Sequence, residues 1–384
     1  MTSLESRPPT TSAPITFATA PVRNHKELPA GFRGTTSGET SKPISTYTAL
    51  LAKVRDAGLL KRRTGFYITM FVVITSLLAA AVTGSYLLGP SWFQLLIAAG
   101  IGLIFTQYGF LAHETAHRQV FESGKMSDRY GRILASGFVG MSYDWWTSKH
   151  TKHHGNPNTI GRDSDIAPGP IAFIEENAAT RGPITRWLRE RQGYGFFPIL
   201  LLEGLNLHVT SYKTMFGRKK VDKRAWEIGL VTVRFAVYLG VVFSFLPLGM
   251  AFAFVGVQLA VFGFYLGAAF APNHIGMPII PEKSRVDFLS KQVLTSRNIR
   301  GHGMTFAMGG LNYQVEHHLF PNMARPNLRA ASKLVQEHCG ENLVPYTVTT
   351  LPNAFGIVVR YLNTVGLAAR TSFDCPMAAE YRPR

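Results

Sequence analysis

Residues 92–117 read WFQLLIAAGIGLIFTQYGFLAHETAH, and the fold turns on how that run is taken. Positions 92–112 carry no Asp, Glu, Lys or Arg. As a helix rising 1.5 Å per residue they reach roughly 30 Å, enough to cross the hydrocarbon layer of a membrane. The run then ends in His113-Glu114-Thr115-Ala116-His117, two imidazoles at i and i+4 on one helix face, able to chelate a single ion. A membrane span that delivers a ligand pair to its own end is the unit from which the rest of the chain can be read.

Three more apolar runs of comparable length occur at 66–88, 226–246 and 249–271. The linkers within the two pairs are short and uncharged (Gly89-Pro90-Ser91 and Pro247-Leu248). Lys61-Arg62-Arg63 precedes the first span, and Arg218-Lys219-Lys220 with Lys223-Arg224 precedes the third. The excess of basic residues on inner loops puts both chain termini, and the segment 118–225, in the cytoplasm. The expectation is an all-α membrane protein with four transmembrane helices and a cytoplasmic helical cap. Residues 1–45, rich in Thr, Ser and Pro and lacking a signal-peptide core, read as a disordered N-terminal tail, 46–350 as the membrane domain, and 351–384 as a C-terminal cytoplasmic tail. Within 118–225, the apolar stretch 194–216 is broken by Glu203, Asn206 and His208, which suggests an interfacial or buried helix and not a fifth span. Arg234, inside the third span, is expected to snorkel to the interface.

Composition narrows the function classes. The 384 residues are 46% hydrophobic and 16% charged, with a formal charge of +17. In a membrane protein that surplus is the ordinary inner-face bias and does not call for nucleic acid. Cys339 and Cys375 are the only cysteines and form no C-x-x-C pair, so no disulfide framework, zinc ribbon or iron–sulfur cluster can be built from this chain. No G-x-G-x-x-G occurs, so flavin or nicotinamide belongs to a partner.

Eight of the twelve histidines lie beside the apolar runs. Besides the first pair there are His150, His153 and His154 at i, i+3 and i+4, offering ligands on two adjacent edges of one turn and able to reach two ions. Gln314, His317 and His318 repeat the spacing with an amide first, and His274 follows the last apolar residue of the fourth run. By the drawn topology all of these share one compartment, and they exceed what one ion could use. Gln314 ligates through its carbonyl oxygen or hydrogen-bonds a ligand. His208 and His302 are candidates for additional or supporting ligands, while His25 and His338 read as surface residues.

Two rival readings attach to the same residues. His113-Glu114-x-x-His117 alone is the signature of a zinc metalloprotease with Glu114 as general base, but that leaves six clustered histidines idle. A metal transporter needs polar residues along its spans, where Arg234 is the main one.

The chain resembles the integral-membrane fatty acid desaturases, in particular the acyl-CoA or linoleoyl-CoA type of actinobacteria related to front-end desaturases. The resemblance is carried by the His113 pair, the run from Trp145-Trp146 to His154, Asn156-Pro157-Asn158, Asp163-Ser164-Asp165, and above all GGLNYQVEHHLFP at 309–321, and it covers about residues 45–350. Its Gln314 stands where most membrane desaturases have a third histidine, as in the front-end group. Ser164 replaces a usual proline, and the His-Pro-Gly-Gly of a fused cytochrome b5 is missing.

The resemblance implies a non-haem centre of two iron ions held by His113, His117, His150, His153, His154, His274, Gln314, His317 and His318. O2 would be the co-substrate, and the reaction would place a cis double bond in a long-chain acyl-CoA or acyl lipid. Electrons would come from a separate ferredoxin or an NAD(P)H-dependent flavin or iron–sulfur reductase. The location implied is a bacterial cell membrane with the active site on its cytoplasmic face. A lipid hydroxylase on the same scaffold is the near alternative. Because a saturated chain has no polar handle at the reacting carbons, an apolar tunnel must measure position along it. Trp145 and Trp146 are candidates for its wall, as they are for interface anchors. Lys149, Lys152, Arg218 and Lys219 could meet coenzyme A phosphates, an acidic electron donor or the lipid surface.

Overall fold

The structure, a computed structural model, describes residues 46–180 and 182–368. The expected N-terminal tail, His25 and Cys375 lie outside the described residues. Described residues form fifteen α-helices. The first five are α1 (Thr46–Asp56), α2 (Thr64–Leu88), α3 (Gln94–Ala116), α4 (Gly124–Arg132) and α5 (Tyr143–Gly155). There follow α6 (Pro183–Glu190), α7 (Gln192–Leu200), α8 (Glu203–Met215), α9 (Arg224–Phe245) and α10 (Leu248–His274). The last are α11 (Phe288–Leu294), α12 (Met304–Ala307), α13 (Gln314–Leu319), α14 (Arg325–Glu341) and α15 (Leu351–Leu367). A π-helix, Ile133–Val139, continues α4, and β1 (Asn298–Arg300) pairs in parallel with β2 (Val348–Thr350).

Helices α2, α3, α9 and α10 are long and apolar enough to cross a membrane, with 25, 23, 22 and 27 residues. Two of them outrun the expected limits of 112 and 271, so that His113 and His274 sit on the last turns of α3 and α10 themselves. The turn between α2 and α3 is clamped by buried Gln94, whose amide donates to the Ser85 and Gly89 carbonyls (both 2.8 Å) and accepts from the Ser85 hydroxyl (2.8 Å). Helices α3 and α10 approach closely at Gly102, where a Cβ would come within 2.8 Å of the Gln258 carbonyl oxygen. Together with α2, the π-helix and α9 they bury one apolar core. A second core joins α1, α11, α13 and α14.

Three expectations need correction. Arg234 does not snorkel. It is buried, donates from Nε to the Phe138 carbonyl (3.2 Å), and holds its guanidinium carbon 4.5–4.7 Å from the ring centres of Phe105, Phe235 and Tyr238. Three ring faces and a carbonyl at the end of the π-helix give the cation a local polar environment. The segment from 351, expected to be a tail, instead forms α15, which buries Val358, Leu362 and Val365 against α7 and the 172–178 loop, while 369–384 lie outside the described residues. His338, expected at the surface, is buried on α14. The 194–216 stretch forms two short helices, α7 and α8, that pack along α10 and do not span.

Candidate metal centre

Each ligand-bearing element is fixed by contacts its own sequence provides. Helix α3 ends at His117, and the following Arg118 takes a left-handed conformation (φ 58°) that stops the helix there. Helix α5 starts at Ser142, whose hydroxyl accepts from the Trp145 amide (3.3 Å). Its entry is tied to α9 by buried Glu227, which accepts from Ser142 Oγ (2.6 Å), the Asp144 amide (3.0 Å) and Arg132 Nε (2.9 Å). The last turn of α10 is held by fully buried Arg297, which donates from Nε to the Pro272 carbonyl (2.7 Å) and from its guanidinium to the Ile275 carbonyl. Helix α13 is set by Asn298 of β1, which accepts from the Val315 amide (2.9 Å) and donates to Glu316 (2.7 Å).

Two groups of imidazoles result. Ligand nitrogens of His113, His117, His150, His154 and His317 all lie within 4.8 Å of one another, as do those of His153, His274 and His318. In the first group His150 Nε2 is 3.0 Å from His113 Nε2, 2.9 Å from His117 Nε2 and 3.0 Å from His154 Nε2. A neutral imidazole has one N–H, so three close nitrogens around one cannot all be satisfied by hydrogen bonds. His317 Nε2 and His318 Nε2 are buried without any partner. Crowded, buried lone pairs of this kind fit a shared cation, and nitrogen-rich sites suit iron, zinc or copper. The i, i+3, i+4 turn of α5 divides between the groups, His150 and His154 to one and His153 to the other, and His317 and His318 divide likewise.

The second group is anchored from behind. His153 Nδ1 donates to Asp163 (3.0 and 3.1 Å), His274 Nδ1 to the Thr295 carbonyl (2.9 Å), and His318 Nδ1 to Gln292 Oε1 (2.9 Å). Each bond fixes the tautomer in which Nε2 carries the lone pair a metal would take. Gln292 also donates to the His154 carbonyl (2.9 Å), so one buried amide links both groups, and the rings of His154 and His318 stack 4.2 Å apart. Gln314 Nε2 lies 2.9 Å from His274 Nε2, and its Oε1 accepts from Asn273 Nδ2 (3.2 Å).

Burial, and behind it the neighbouring imidazoles, hold His150, His154 and His318 well below the usual histidine range, and burial alone takes His117 down to about 3. Neutral imidazole is the ligating form. His153 goes the other way: burial lowers it, but Asp165 and the hydrogen bond to Asp163 outweigh burial and raise it. Glu316, desolvated despite bonds from Tyr346 and Asn298, rises to about 7.

The remaining candidates are placed as follows. Trp146 stacks on His150 (4.6 Å, 19°) and meets His113 edge-on (5.5 Å); Trp145 is half-buried. His208 belongs to neither group; it bonds the Gly140 carbonyl (3.0 Å), and burial, with Arg234 nearby, holds it at about 4. His302 is exposed. Lys149 pairs with Asp165 (2.9 Å), and Lys152, Arg218 and Lys219 are exposed. Glu114 faces Arg325, which donates to both of its carboxylate oxygens, so its buried charge is paired with a guanidinium and not turned to a metal-bound water as the general base of a metalloprotease would be. Sequence reasoning did not single out Gln292, Thr295, Arg297 or Arg325, since none has a spacing relation to the histidines. Asp163 was visible only through the family resemblance.

Residues 90–350 match the model of the fatty acid desaturase family. Among similar proteins are a delta(6)-fatty-acid desaturase of Caenorhabditis elegans, 27% identical over 342 residues (85% of this chain, 76% of the relative), and a delta(8)-fatty-acid desaturase of Euglena gracilis, 30% identical over 303 residues (75% and 72%). An acyl-lipid (9-3)-desaturase of Borago officinalis is 26% identical over 345 residues (86% and 77%).

Proposed function

Because the chain belongs to the fatty acid desaturase family, we propose that it is an O2-dependent desaturase that sets a cis double bond into a long acyl chain at a two-iron centre. The ligands proposed are His113, His117, His150, His154 and His317 for one ion and His153, His274 and His318 for the other, with Gln314 beside the second. The observation that carries this reading is the division of eight imidazoles into two adjoining groups. Two irons bound there supply oxygen activation and the oxidising power to take hydrogen from unactivated carbons, which redox-inert zinc does not. The overall change consumes one O2, two electrons and two protons, and yields the alkene and two waters.

The chain's own residues bind, orient and exclude water. Asp163, Thr295 and Gln292 hold Nδ1–H of His153, His274 and His318, which keeps the opposite nitrogens aimed inward. Trp146 against His150 and Phe270 edge-on to His113 (5.9 Å) supply apolar surface beside the first group, which supports Trp146 as part of the wall of an acyl tunnel. The substrate proposed is an acyl-CoA whose head group stays on the cytoplasmic side, where both termini would also lie. An acyl lipid is the alternative, supported by the name of the Borago relative. The delta(6) and delta(8) names of other relatives support a double bond near the carboxyl end of the chain. Electrons would come from a separate ferredoxin or flavin or iron–sulfur reductase.

Expression with a reductase system in a bacterial host, followed by fatty acid profiling and iron analysis, tests the reading. A product two hydrogens lighter, about two irons per chain, and loss of the product in His317→Ala are expected. A product heavier by one oxygen would make the protein a hydroxylase.

A further inference from the structure

Helix α6 presents its apolar side outward. Ile184, Trp187 and Leu188 fall within one arc of roughly 100° on the helix wheel, with Arg186, Arg189 and Glu190 on the opposite side. Ile184 is 74% exposed, Trp187 55% and Leu188 56%. The polar side is turned to protein: Arg189 donates to Gln192 Oε1 (3.3 Å) and to the Gly169 carbonyl (3.4 Å). Gly366 of α15 presses so close to α6 that a Cβ there would lie 2.0 Å from the Arg189 carbonyl oxygen. A helix bordered by water would be oriented the other way round.

The exposed apolar strip continues past α6 through Tyr194 of α7, Leu201 and Leu202 to Leu205 of α8, and these helices lie along α10, a membrane-crossing helix whose Phe264 is also exposed. Leu200 sits against Gly267, seven residues before His274, or about 10 Å down the helix from the metal centre. Helix α7 leads back from that depth to α6. At the same level the Arg191 guanidinium stacks over the Trp187 ring (4.8 Å), and tryptophan beside arginine is the usual composition of a membrane–water boundary.

The geometry points to α6 as an in-plane membrane anchor in the leaflet next to the metal centre, with Ile184, Trp187 and Leu188 among lipid chains and Arg191 at headgroup level. Its occupant is the lipid surface itself. The segment between Asp163 and α6 then links the support of His153 to the bilayer.

The test uses the full chain with Cys375→Ser in lipid nanodiscs, carrying a bimane dye on Trp187→Cys or, one turn earlier on the same side, on Ile184→Cys. Leu96→Cys on α3 is the lipid-facing reference. Lipids with brominated chains should quench the dye at 184 and 187 as strongly as at 96, and aqueous iodide should leave it bright. Iodide quenching at both positions, or no loss of emission with brominated lipid at either, would overturn the assignment, including the case in which a protein partner covers the strip.

Discussion

Glu114 and Arg325 meet 211 positions apart in the chain, with Arg325 Nε 2.6 Å from Glu114 Oε1 and a second guanidinium nitrogen on Oε2. Tyr67 completes the arrangement: its hydroxyl accepts from the Arg325 backbone amide (2.9 Å) and donates to Gln119 (2.9 Å). The pair ties the ligand-bearing end of α3 to the start of α14, and both side chains are buried.

Breaking this pair on one side strands a buried charge. Arg325→Met and Glu114→Gln are each expected to lower stability by about 3–5 kcal/mol, and the double substitution by less than their sum. Thermal unfolding of the three variants measures it. A Glu114→Gln protein as stable as the parent would contradict the role given to this pair.

Asp163→Asn keeps the volume but weakens the acceptor for His153 Nδ1–H. A loss of about 10–100-fold in metal affinity is expected, read as faster metal release to a chelator.

Gln292→Leu removes the acceptor for His318 and the donor to the His154 carbonyl in one step. Because it touches both groups, metal bound at either should be released faster, whereas Asp163→Asn should affect chiefly the second group. Metal counts during chelation distinguish the two patterns.

Cys339 is buried on α14, and burial with Glu316 nearby pushes its thiol up to about 12. At pH 8 only about one thiol in ten thousand is then ionised. In a Cys375→Ser background, maleimide should not label the folded protein and should label it fully in denaturant.

Leu362 of α15 is fully buried between α7 and the 172–178 loop. Leu362→Ala should cost about 2–5 kcal/mol, and ending the chain at residue 350 should prevent folding. Denaturation midpoints and yields of folded protein report both; unchanged stability in Leu362→Ala would contradict the packing described for α15.

The sequence made the four long helices legible because an unbroken apolar run has a length requirement that few other structures share. Histidine spacing was legible for the same kind of reason, since i, i+3 and i+4 fix directions on a helix. What joins the groups was not. Gln292, Thr295 and Arg297 act through backbone carbonyls and ring N–H groups brought near by tertiary folding, and their residue types are unremarkable at those positions. Arg234 misled because hydropathy treats a mid-span cation as bound for the interface, while three aromatic rings from α3 and α9 were waiting for it. Helix α15 was misread because its amphipathic pattern lies beyond the last histidine motif.

Adjacent positions on α5 and α13 supply different groups, His153 against His154 and His317 against His318. The distance between the two sites is therefore set by the rotation and rise of a single helical step. Loops elsewhere can lengthen or shorten without altering that distance, but one residue inserted within either short helix would turn its ligands by about 100° and disturb both groups at once.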